Sequence, residues 1–189
     1  MYWKVTRSFA LAASILLLCA CDHSIDERLA AKNSAEKSLG ITPVLFAAKF
    51  NEMLPKVLSL RNDADAVRLT PLYTIDTKRW SGIGEQRIFN IDVGQTHTAL
   101  LGSITKAGDL RSIGVLLADR SAAARVDFNL CAEATGGVFV NEALAPMIAR
   151  LSGMALDIPG QRSTEVIDER LFSMQLTPQG LLFQIEQKQ

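Results

Sequence analysis

Apolar side chains along this sequence change their spacing three times, and the order of those changes leaves the chain few architectures. Phe46, Phe50, Met53 and Val57 recur at four, three and four residues, which puts them on one face of a helix. Thr42 stands before it as an N-cap, and Pro43 takes the first helical position, where a missing N–H costs nothing. Pro55 would clash with the carbonyl of Asn51, so this helix is expected to bend there or to end near Leu54. From Ala66 the period becomes two. Val67, Leu69, Tyr73 and Ile75 alternate with Arg68, Thr70, Thr74 and Asp76, which predicts a strand with one wet face. Pro71 cannot donate to a ladder and confines that strand to an edge or a bulge. Strands are also expected over Arg87–Val93, Thr96–Thr105 and Leu110–Ala118, joined by the turns Gly94-Gln95 and Lys106-Ala107-Gly108-Asp109. Turns this short join antiparallel neighbours, so the expectation is a four-stranded meander.

Asp119-Arg120-Ser121 offers capping residues and helical spacing returns. One helix is expected over much of Ala123–Ala134, broken by Gly136-Gly137, and a second over Glu142–Leu151, where Leu144, Ile148 and Leu151 share a face. Beyond Pro159-Gly160 the chain reads as extended again. Leu171–Leu176 and Leu181–Ile185 flank Thr177-Pro178-Gln179-Gly180, a hairpin with proline in a turn position and glycine where positive φ is cheap. The fold expected is α+β: an antiparallel sheet, made of a four-stranded meander plus a C-terminal hairpin, with helices packed on one face. Both halves begin with a helix and proceed to strands, which hints at duplication, without a residue-level repeat.

Ahead of all this, Lys4 and Arg7 precede an apolar run from Phe9 to Leu18 that holds no charge and no proline. That is the layout of a secretory signal, and the run is shorter than the ~20 residues a helix needs to cross a bilayer. Leu18-Cys19-Ala20 directly before Cys21 resembles the lipobox of bacterial lipoproteins. The resemblance implies a diacylglycerol on the Cys21 thiol, cleavage between Ala20 and Cys21, and acylation of the new amino group. Two or three acyl chains together anchor stably at ~0.8 kcal/mol per buried CH₂, where one binds only marginally. Asp22 resembles the signal that keeps enterobacterial lipoproteins in the inner membrane, facing the periplasm. The organisation expected is a signal peptide over 1–20, a lipidated cysteine and polar tether over 21–40, and one soluble domain over 41–189.

Removing residues 1–20 from 189 leaves 169, a length for one domain with a substantial core. Of the 20 Lys and Arg residues, 18 remain after the leader against 20 Asp and Glu. A near-neutral balance with no basic run argues against nucleic acid, and equally against a polybasic membrane patch. Of three cysteines only Cys131 remains in the domain, so no intramolecular disulfide is expected there and packing must stabilise it. Cys131 lies between Leu130 and Ala132 and reads as a small buried hydrophobe.

Chemistry-bearing patterns are sparse. His97 has no second histidine or cysteine placed to complete a zinc site, so neither a metal nor another cofactor is expected. His97 with Ser103 or Ser112 and Asp92 has the residue types of a Ser-His-Asp triad, but no nucleophile elbow supports it. Asp168-Glu169 adjoin in sequence and point to different sides. Asp63 and Asp65 flank Ala64 in an expected loop; counted as a calcium loop, they put Arg68 where glycine belongs and Thr74 where the closing glutamate belongs. Trp80-Ser81-Gly82-Ile83-Gly84 lacks the third glycine and the lysine of a phosphate loop. Lys78-Arg79-Trp80, on the loop Thr77–Glu85, has the residue types enriched at interface hot spots and is the candidate partner contact, the alternative being a loop whose Trp80 folds back onto the core.

The function expected is a lipid-anchored protein of the cell envelope, held to the membrane through Cys21, whose periplasmic domain binds or scaffolds another envelope protein without catalysis. The alternative is a small-ligand-binding protein or hydrolase with its pocket between sheet and helices.

Overall fold

The structure, a computed structural model, describes residues 37–61, 63–76, 88–96, 98–141 and 144–188, with the backbone alone for 63–67. Among the described residues four helices and six strands follow in the order α1 (Pro43–Ser59), α2 (Asp63–Tyr73), β1 (Ile88–Val93), β2 (Thr98–Ile104), β3 (Leu110–Leu117), α3 (Ala122–Gly137), α4 (Ala145–Asp157), β4 (Arg162–Ile167), β5 (Arg170–Thr177) and β6 (Gly180–Gln187). The strands make one antiparallel sheet in the order β1-β2-β3-β6-β5-β4. The fold is α+β, an antiparallel sheet with helices.

The pleat sorts each strand into two faces. Phe89, Leu100, Ile113, Val115, Phe172, Met174, Phe183 and Ile185 point one way and are buried beneath the helices. Register puts Asn90, Leu101, Gly114, Gln184, Ser173 and Thr164 in one row across the other face. α3 lies over β2 and β3, and α4 over β4 and β5, while α1 packs on α2 and α3. Phe46, Phe50 and Leu54 of α1 are fully buried, and the Phe46 ring stacks on Phe139 with centroids 6.1 Å apart.

Several local expectations change. The segment read as a strand from Ala66 is the helix α2, with Pro71 in its last turn. Leu69 and Tyr73 are four residues apart, so the same apolar positions serve a helix as well as a strand. Asp-Ala-Asp-Ala supplies an N-terminal acidic turn that favours the helix. The chain leaves α2 in extended form, and Asn51 of α1 fixes it by bonding both backbone groups of Ile75, at 2.9 Å to the carbonyl and 2.8 Å from the N–H. α1 runs through Pro55 to Ser59 rather than ending at Leu54. The fourth helix is Ala145–Asp157, with Pro146 in its first turn, where a missing N–H costs nothing, and it continues past Leu151. The extended stretch after Gly160 is a strand of its own, β4, so the six strands divide into two meanders of three instead of four plus a hairpin.

Among the described residues each half is therefore two helices followed by a three-stranded meander, and the halves meet antiparallel along β3 and β6. The last hairpin of each carries Thr-x-x-Gly, at Thr105–Gly108 and Thr177–Gly180, with both glycines at positive φ. Gly180 has a second reason: a Cβ there would overlap the carbonyl of Leu117. Before α1, Leu39 and Ile41 are buried and bond the backbone of Leu110, so the end of the expected tether is fastened to the start of β3.

Candidate functional site

A buried polar cluster lies where α2, the β1–β2 turn and α3 meet. Asp127 is 4% exposed, and its carboxylate accepts from the Tyr73 hydroxyl, from the Thr96 N–H at 2.8 Å and from the Thr96 hydroxyl at 2.7 Å. Gly94, at φ 80°, lets the turn come this close, since a Cβ would sit 3.0 Å from the carboxylate. Burial first, and then the Asp127 hydrogen bond, push the Tyr73 hydroxyl well above its ordinary range. Every acceptor bond here is internal, so the cluster ties three elements together and presents nothing to a ligand.

Cys131, one turn further along α3, is fully buried and free. Burial pushes its thiol up, with the charge of Asp127 adding to the effect. A thiol held protonated is a poor nucleophile. This agrees with a packing role.

A cavity of about 180 Å³ opens at the end of the helix–sheet layer, walled by Leu117, Leu176 and Leu181 of the strands, Phe128 and Asn129 of α3, and Ser152 and Leu156 of α4. Arg120 and Arg125 complete its lining. The Ser152 hydroxyl is shielded from solvent and has no hydrogen-bond partner among the described residues. The lining can hold a ligand by apolar contact and by donated hydrogen bonds. Sequence reading did not single out these residues, because strand ends and two helices contribute them from positions up to 64 apart, Leu117 to Leu181. One local signal was present. A helix entry is commonly closed by apolar residues before the N-cap and at the fourth helical position. At α1 these are Ile41 and Phe46, both buried; at α3 they are Arg120 and Arg125, both exposed.

On the sheet face away from the helices, a depression of about 240 Å³ is centred on Gly114. Leu101 and Gln184 flank it in register, with Leu182, Ile88 and the hydrogen-bonded pair Ser103–Ser112, 2.7 Å apart, around it. Gly114 has no room for a side chain, since a Cβ would lie 2.7 Å from the Phe183 carbonyl. Ile88 is 72% exposed at one margin, and an Arg162–Glu186 ion pair at 2.8 Å lies towards the other.

The remaining sequence candidates are not gathered into a site. Ala20, Cys21, Lys78, Arg79, Trp80 and His97 lie outside the described residues. Ser103 and Ser112 bond each other, and Asp92 stands four residues along the sheet, opposite Ala99 instead of Ser103, roughly 13 Å away at ~3.3 Å per residue. Asp63 and Asp65 lie in the first turn of α2, not in a loop. Asp168 and Glu169 form the β4–β5 turn. Among the described residues no group of three or more His, Cys, Asp or Glu could hold a metal ion, and no helix is long and apolar enough to cross a membrane. Compared with known proteins, the chain matches no family model, no curated protein and no solved structure.

Proposed function

We propose that this chain is a lipid-anchored protein of the bacterial envelope, attached through Cys21 and facing the periplasm, whose domain binds another envelope protein without catalysing a reaction. The observation that supports the binding reading is the leucine-walled depression on the sheet face that the described helices leave bare. An apolar centre with a polar, charged margin is the anatomy of a protein contact surface. A depression with a glycine floor takes a protruding partner side chain, which is where binding energy concentrates. A lipid on the same chain raises the local concentration of the domain near membrane partners. The residues supporting attachment are Leu18-Cys19-Ala20-Cys21, with Asp22 pointing to the inner membrane.

Two measurements test the two parts. Replacing Cys21 with Ser should leave precursor of unprocessed mass that carries no lipid; a normal mature mass would overturn the anchor. Photo-crosslinkers placed in intact cells at Leu101, on the bare face, should trap one reproducible envelope protein that the same crosslinker at Val126, on an exposed helix surface, does not. Equal trapping at both positions would overturn the surface.

A second reading, the binding of a small ligand, is favoured by the cavity between α3, α4 and the sheet.

A further inference from the structure

We infer that the cavity between α3 and α4 takes a small amphipathic carboxylate, with its anionic head held by Arg120 and Arg125 and an apolar body about the size of one six-membered ring among Leu117, Phe128 and Leu181. The inference rests on the small-ligand reading of that cavity and adds the chemical class.

The two halves of the fold make the comparison that carries it. Both long helices begin behind a hydroxyl N-cap, Thr42 for α1 and Ser121 for α3. At α1 the flanking positions, Ile41 at 8% exposure and Phe46 at 0%, seal that end of the core. At α3 the same two positions are arginines, and the core stays open beside them. Two cations at an apolar opening repel each other and lie beside surface that a neutral, closed end would have buried. An anion with an apolar body answers both conditions.

The surrounding charges agree. Neither guanidinium has a carboxylate partner among the described residues, whereas Arg61, Arg150 and Arg162 are each paired. The carboxylates nearest in sequence are otherwise engaged: Asp119, beside Arg120, accepts the Ser121 N–H at 3.0 Å, and Asp127, two residues from Arg125, accepts from Tyr73 and Thr96. Ser152 adds to the wall an O–H whose hydrogen-bonding capacity is unused. Size sets the rest. About 180 Å³ compares with the ~150 Å³ of a leucine-lined cavity that binds benzene, so one ring fits and a long acyl chain does not. Guanidinium groups pair with carboxylates in bidentate geometry, which suits them to the head.

The test uses the full chain in lipid nanodiscs, with empty nanodiscs subtracted, and ligand-observed NMR titrations of phenylacetate, 2-phenylethanol and acetate. Phenylacetate should bind saturably and about tenfold or more tighter than 2-phenylethanol, the scale of a charge-assisted hydrogen bond. The double variant Arg120→Gln/Arg125→Gln, with an unchanged melting temperature, should erase that difference, and Ser152→Leu, which fills the cavity, should abolish binding of both. Equal binding of phenylacetate and 2-phenylethanol to the unaltered chain would overturn the anion assignment and leave the cavity reading standing. Acetate binding as tightly as phenylacetate would overturn the apolar body. No saturable binding of any probe would overturn the inference and the cavity reading together.

Discussion

Asp127 shows how one side chain can decide local structure without being legible as important. In the sequence it is a carboxylate in the first turns of a helix, next to Val126, which is 56% exposed. In the fold it is buried, and three donors from two other elements converge on it. Its neighbours Tyr73 and Cys131 both hold their protons more tightly when folded than when unfolded. A raised folded pKa gives stability that is complete below the unfolded value and is lost as pH rises beyond it. Unfolded Cys and Tyr titrate near about 8.5 and 10, so the loss begins above about pH 8.5 for Cys131 and above about pH 10 for Tyr73. Urea unfolding between pH 7 and 10.5 should therefore show stability falling with pH, by up to about 1.4 kcal/mol per pH unit from Cys131. Cys131→Ala should flatten the slope above pH 8.5 and Tyr73→Phe the slope above pH 10, whatever each does to stability at neutral pH. Slopes that overlay the unaltered chain would show that neither group senses folding.

At the scale of elements, most helices and strands were legible because their periods were clean. Burial alternates along β2, α1 keeps its apolar positions at helical spacing, and the turn glycines sit where φ is positive. α2 reads as a strand because Leu69 and Tyr73 satisfy two periods at once, and the Asn51 clamp on Ile75 and the Tyr73–Asp127 bond are the tertiary contacts that fix the helix in place. The β4–β5 turn was missed for the opposite reason. Asp168 and Glu169 adopt φ of 48° and 63°, a conformation that calls for Asn-Gly, so the sequence carried no hairpin signal there. That turn should accept improvement. Asp168→Asn with Glu169→Gly is expected to stabilise by about 1 kcal/mol, read as a higher urea midpoint at unchanged slope. A lower midpoint would mean that the two native side chains contribute more than their backbone costs.

Among the described residues, from Lys37 onward, one sheet is shared by two similar halves, with β3 and β6 as the seam. α3 packs on the first meander, on α1 and on α4, so it ties the halves together from above the sheet. Neither meander can lose its seam strand without exposing an unpaired edge to water. Unfolding should therefore be cooperative, with slow amide exchange in β2 and in β5 governed by one free energy. Separate free energies for the two meanders would show that the seam does not couple them. The candidate sites follow from the same architecture. The glycine-floored depression exists because strands from both halves lie side by side, and the cavity because the second half closes its helix entry with arginines instead of apolar side chains.

What the sequence determined by itself was local. Periodicity, capping residues and turn glycines specify helices, strands and an antiparallel sheet, because those signals act between residues a few positions apart. The lone Cys131 and the near-neutral charge likewise need only composition and immediate neighbours to be read. The tertiary structure decided the rest: the pairing of β3 with β6, the helical state of α2, the burial of Asp127 and the walls of the cavity. Each depends on groups far apart in the chain. Their free energy exists only after the layers have packed, so it leaves no short-range pattern in the residues that share it.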